Sequence, residues 1–147
     1  MSEIAELEQV RNRLAVFEQR LQELPDQKRE KDFRLEHVFT PGIYIRTIYM
    51  PAVSVLTGKI HRHEHWNILQ AGTVSVYSKD GLKTLTGPQS MVSSSGVKRA
   101  VFCHTDTVWT TVHHNPDELR DLADLEHHII APEYAQLQGE TVCRGLQ

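Results

Sequence analysis

The chain is short of cysteine, of charge imbalance and of long apolar runs, and each shortage removes a class of function. Only two cysteines, Cys103 and Cys143, occur in 147 residues and they form no CxxC pair, so neither a disulfide framework nor a thiolate zinc site is expected. No stretch approaches the ~18 consecutive apolar residues of a membrane helix, and the N-terminus is amphipathic, not a basic end followed by an apolar signal core. A cytoplasmic protein with no membrane partner is therefore expected. The formal net charge of −3 gives no general attraction to nucleic acid, so none is expected as a partner. No serine or cysteine stands as a nucleophile beside a base, and Cys103, inside an apolar stretch, reads as a small core residue. What is present, 39% apolar and 24% charged residues, suits one globular unit with a real core.

Three parts follow along the chain: a helical arm and charged linker over 1–36, a strand-rich middle over 37–115, and a helix and tail over 116–147. In the arm, Leu7, Val10, Leu14, Phe17, Leu21 and Leu24 recur at alternating steps of three and four, the a and d positions of three heptads. Ser2 caps the start, Glu3 and Glu6 suit the positive helix end, and Pro25 stops the helix after about 22 residues. Such a face needs a partner. The expected partner is a second copy of the chain in a coiled coil and homo-oligomer, with a helix folded back onto its own barrel as the alternative. Asp26 to Glu36 is a mixed charge run and reads as a solvated linker or helix continuation.

Beyond Phe39 the period changes from helical to strand. Runs at Ile43 to Met50, Val53 to Leu56, Gly72 to Ser78, Leu82 to Thr86, Met91 to Ser94, Val97 to Cys103 and Thr107 to His113 are separated by turns such as Thr40-Pro-Gly42, Lys79-Asp-Gly81 and Ser95-Gly96. Eight or so short strands without helices between them point to a mainly β, antiparallel sandwich or barrel. In the last part, Asn115 as N-cap, Pro116 at the first helical position and Glu118 three residues after the cap predict a helix of about four turns ending before Pro132. His127 and His128 read as residues of its last turn, and Gly139 to Gln147 as a mobile tail.

Nine histidines are unusual for this length, and three stand two apart in Gly58-Lys-Ile-His-Arg-His-Glu-His-Trp-Asn-Ile-Leu-Gln-Ala-Gly72. On an extended strand His61, His63, His65 and Asn67 share one face. Converging imidazoles inside a small barrel suit a divalent Zn, Fe, Mn or Ni ion with a position left open. In the last strand Trp109, Thr111 and His113 share one face and Thr110, Val112 and His114 the other. If the odd face is the inner one, His113 joins His61 and His65; if the even one, His114 does. Glu64 lies opposite its neighbours unless a bulge re-aims it, which leaves it a secondary ligand.

The glycine, the His-x-His strand and the apolar-Leu-x-Gly turn over Ile43 to His113 resemble the first motif of the cupins, small jelly-roll barrels. More narrowly, GKIHRHEHWNILQAGTVSVYSKDG and SSGVKRAVFCHTDTVWTTVHHNP are similar to cupin-like proteins encoded by tailed bacteriophages, for which the host bacterial cytoplasm would be the location. The resemblance implies a cupin-type antiparallel jelly-roll barrel, flanked here by a coiled-coil-like N-terminal helix and a C-terminal helix. It also implies a metal held by two His, a Glu and a distant His. Aligned on His61 and His63, the Glu position carries Asn67; aligned on Gly72, it carries His65 with His61 in register. The distant His position carries Arg99, which is always charged and has no lone pair to offer. Arg99 with Asn67, Glu64 and an aromatic face such as Trp109 then suits a small anionic ligand. Three readings remain: a metal-dependent enzyme, a non-catalytic binder of an anionic molecule such as a nucleotide-derived one, or an assembly module.

Overall fold

The computed structural model describes residues 2–25, 27–28 and 32–137. Helix α1 spans Glu3–Glu23 with the Ser2 side chain accepting from Ala5 N, and it ends where Leu24 becomes extended before Pro25. Eleven strands follow among the described residues: β1 Arg34–Thr40, β2 Ile43–Met50, β3 Val55–Thr57, β4 Ile60–His61, β5 His65–Ala71, β6 Thr73–Ser78, β7 Gly81–Thr86, β8 Gln89–Ser93, β9 Ala100–Cys103, β10 Thr107–His114 and β11 Ile130–Ala131. Helix α2, Leu122–Ile129, lies between the last two. No helix of the described residues is long and apolar enough to cross a membrane.

The strands form a five-stranded sheet in the order β1-β2-β10-β5-β8, a four-stranded sheet in the order β3-β9-β6-β7, and a two-stranded ribbon β11-β4. Every pairing is antiparallel, and the chain crosses repeatedly between the two larger sheets, which gives a jelly-roll barrel. Alternation along each strand decides what lies inside. The larger sheet contributes Ile48, Met50, Leu69 and Trp109 to the core, and the smaller one Leu56, Val74, Val76 and Cys103. Gly72 turns β5 into β6 at φ +104, and a Cβ there would lie 2.6 Å from Asp106 O, so no side chain fits.

The sequence expectations need three corrections of layout. Residues Arg34 to Glu36 of the supposed linker belong to β1, pairing with Tyr49, Ile48 and Thr47. Their mixed charges are compatible with a strand because Arg34 and Glu36 face solvent and bind each other while Leu35 points inward. The last helix starts six residues later than predicted. Asn115 is buried and bonds Leu119 through both backbone groups, which closes a turn in place of capping, and Asp121 instead accepts from Ala123 N and Asp124 N. The third correction concerns the histidine strand, which is broken: residues 62–64 bend out of the sheet between β4 and β5.

The arm also has a partner within its own chain. Leu14 and Leu21 of the heptad face are buried, Leu7 and Val10 are half-buried, and Lys98 and Arg13 of the two elements reach Glu18 and Tyr77 across the contact. Phe17 and Leu24 remain exposed, so the folded-back alternative describes part of the seam and leaves the other part bare. The tail Gly139 to Gln147 and Cys143 lie outside the described residues. Leu14, 2% exposed, should lose about 2–5 kcal/mol on truncation to alanine, whereas Ile4, 73% exposed, should lose no more than about 0.5. Urea unfolding of Leu14→Ala and Ile4→Ala checks this; equal midpoints would show that α1 does not pack on the barrel.

Candidate functional site

Three imidazoles meet at one end of the barrel, one from each of β4, β5 and β10. The ring centroids of His61 and His65 are 4.2 Å apart, those of His65 and His113 5.0 Å, and those of His61 and His113 5.6 Å. The break at 62–64 makes this possible. Arg62 N donates to Ile129 O, Gly96 N to His61 O and Ser95 Oγ to Arg62 O, so the bend is tied both to the end of α2 and to the turn before Val97. Arg62 Nε also reaches the carbonyls of His127 and Ile130, where the helix leaves acceptors unfilled. The odd face of β10 is the inner one: Trp109 and His113 are buried and His114 is exposed.

Burial keeps these rings uncharged. It pushes His61 down to about 2 and His113 to about 3, with the neighbouring histidines and Arg46 lowering both further and Arg99 also acting on His61. His65 is lowered chiefly by burial, partly opposed by its bond to the His63 carbonyl. That carbonyl, 3.2 Å from His65 Nδ1, can only accept, so Nδ1 carries the proton and Nε2 the lone pair. His65 Nε2 is buried with no hydrogen-bond partner. His113 Nε2 lies 2.9 Å from Thr111 Oγ1.

Two cavities adjoin the rings and share Arg46, Lys59 and His61 as a common wall. The inner one, about 90 Å³, reaches His65, Asn67, Arg99 and Trp109 inside the barrel. The outer one, about 250 Å³, runs between the larger sheet and α2 past Tyr44 and His113. His61 keeps some accessible surface because it borders both. Lys59 forms an ion pair with Glu126 of α2. The Arg99 guanidinium is largely removed from solvent, which disfavours its charge, with Asp80 the carboxylate whose field partly offsets this.

The predicted residues divide accordingly. His61, His65 and His113 come together, and Arg99 stands beside them. Asn67 and Trp109 line the inner cavity but are also bonded to each other, Trp109 Nε1 donating to Asn67 Oδ1 at 3.0 Å and Asn67 Nδ2 to Ser93 Oγ at 2.5 Å. Two expectations fail: His63 is not on the shared face, its ring lying 5.2 Å from that of His128, and Glu64 is exposed in the bend. The cause is the broken strand, which cancels simple alternation. His128 lies in the last turn of α2, as its sequence position predicts, and is half-buried, with Nε2 lacking a partner. Arg46, Lys59 and Tyr44 were missed. A signal for Arg46 existed: it shares the parity of Tyr44, Ile48 and Met50 in β2, all buried.

A metal fits this arrangement only in part. Three neutral imidazoles and one orphaned lone pair are the right donors. Their planes, however, are inclined by only 6–31°, so the rings face one another and do not aim nitrogens at one point. Among the described residues no group of three or more His, Cys, Asp or Glu is arranged to hold an ion.

No protein-family model matches the chain, and no curated protein matches it. Among solved structures it is similar to an RmlC-like cupin from Shewanella frigidimarina, at 16% identity over 60% of this chain and 78% of that one, with a TM-score of 0.49. It is similar to KdgF from a Halomonas species at 13% identity over 60% and 82%, with a TM-score of 0.49. An acetylacetone dioxygenase from Acinetobacter johnsonii matches at 17% identity and a TM-score of 0.46, with 54% of this chain spanning 58% of the enzyme. At these identities and scores the likeness assigns no residue role and no reaction to this chain.

The ring cluster makes stability depend on pH in one direction. An unfolded histidine takes up its proton near pH 6.5, whereas His61 and His113 do so only near 2 and 3, so the unfolded state binds more protons throughout that window. Stability is full above about pH 6.5 and falls as the pH drops, by roughly 1 kcal/mol per pH unit for each ring. Urea midpoints measured at pH 7 and pH 5 should show the fall, and His61→Gln should flatten it; an equal slope in that variant would mean that the ring is charged in the native state.

Proposed function

We propose that the chain is a cupin-like barrel that binds a small anionic molecule, a carboxylate or a phosphate, between Arg99, Arg46 and the three imidazoles. The observation that carries this is the charge of the inner cavity: Arg46, Lys59 and Arg99 line it, and no aspartate or glutamate does. Burying a guanidinium costs several kcal/mol unless an anion offsets it. Arginine also offers a planar fork matched to carboxylate or phosphate oxygens. Neutral imidazoles beside it add no competing positive charge. Binding is the activity assigned. Sequestration of the anion, the role suggested by the resemblance to phage-encoded cupin-like proteins, needs nothing further from the site.

A second reading is supported by the lone pair of His65 Nε2, which has no protein donor. In it, His61, His65 and His113 hold a divalent ion, which would act as a Lewis acid towards the bound anion. Two adjacent arginines oppose a bare cation, so this reading favours a metal that enters together with an anion.

Calorimetry with inorganic phosphate and with acetate tests the first reading, and metal analysis tests the second. Loss of a charge-assisted hydrogen bond should weaken the anion about tenfold to a hundredfold in Arg99→Gln. Absence of heat with either anion, or equal affinity in the variant, overturns the anion assignment. Stoichiometric metal in the native protein, lost in both His61→Ala and His65→Ala, supports the second reading; metal-free protein after growth with Zn, Fe, Mn and Ni removes it.

A further inference from the structure

The outer cavity differs in chemistry from the inner one, and the difference describes a ligand. Arg46, Lys59, His61 and His113 stand at one side of it. Its remaining wall is largely aliphatic, with Leu35 from β1 and Leu122, Leu125 and Ile129 from α2. Leu125 and Ile129 are packed against Tyr44, so this wall is a built part of the fold. The one carboxylate there, Glu126, is engaged by Lys59. A bare inorganic anion would leave this chamber filled with water against leucine and isoleucine, an arrangement that favours replacement by an apolar group.

Resting on the anion reading above, we infer that the ligand is an amphiphilic anion: a carboxylate or phosphate head at Arg46, on the side that Lys59 and His61 also line, carrying an apolar body that lies in the chamber under α2. Volume bounds the body. About 250 Å³ corresponds to roughly eight waters at ~30 Å³ each, which suits a body of about six to eight carbon atoms. The polar end is cationic and the wall along α2 is largely aliphatic, so a neutral alcohol of the same length loses the head contacts and an alkylammonium is repelled.

The test is a calorimetric series on the full chain with acetate, butanoate, hexanoate and octanoate, with 1-hexanol and hexylammonium as controls. Affinity should rise about fourfold for each methylene that enters the chamber and level off near hexanoate or octanoate. Leu122→Trp fills the chamber from a half-exposed position, at little risk to folding, and should abolish the dependence on length. Arg46→Gln should weaken all the acids by the same factor and leave the fourfold step intact. Acetate and hexanoate binding equally would overturn the amphiphilic ligand and leave the anion reading standing. Hexanol binding as well as hexanoate would overturn the anionic head. No acid binding at all would remove both.

Discussion

Three uncharged imidazoles held beside two arginines at the closed end of a small barrel set the terms for the surrounding structure. Imidazoles in water take up a proton near pH 6.5; here the removal of water, then the neighbouring histidines and Arg46, with Arg99 acting on His61, keep His61 and His113 neutral down to about 2 and 3. The same removal of water disfavours the charge of Arg99. Each condition depends on the other. If the rings were charged, five positive groups would crowd one site; if the arginines were solvated, the rings would lose much of the field that suppresses their protonation.

Several local features maintain that dry end. The bend at 62–64 carries β4 out of the larger sheet and into a ribbon with β11, so that His61 approaches His65 from a separate strand. Hydrogen bonds from Arg62 to the end of α2 hold the bend, and α2 in turn packs on Tyr44. The ring ladder continues outward, Tyr44 stacking on His113 at 5.8 Å and bonding His37 Nδ1 at 2.6 Å. A helix of only eight residues thus closes one wall of the site, anchored by Leu125 and Ile129 and by the Lys59–Glu126 pair. The anion reading and the amphiphilic ligand both follow from this division into a cationic interior and an aliphatic wall.

Much of the fold was legible because strand alternation is a local property. The period of two located β2, β6 and β10 within a residue or two, and the proline and capping serine located α1. The arm's destination was not legible, since a heptad face buries equally well against a second helix or against a barrel, and only the position of Leu14 and Leu21 in space separates them. The start of α2 was misplaced for a similar reason. Asn115 has the chemistry of a cap, but its burial turned both of its polar ends towards Leu119.

At the site, the two-residue spacing put forward His61, His63 and His65 together, the resemblance to the cupin motif put forward Arg99, and the parity of β10 limited the ring from that strand to His113 or His114. Those are consequences of side-chain chemistry and of a two-residue repeat, which operate along the chain without reference to distant parts. Which ring completed the cluster, that His63 and Glu64 turned away, and that Arg46, Lys59 and α2 joined, depended on contacts between residues far apart in sequence. Such contacts decide which face of a strand is inside and whether a strand bends, because the free energy of excluding water from a group is set by everything that surrounds it, not by its neighbours along the chain.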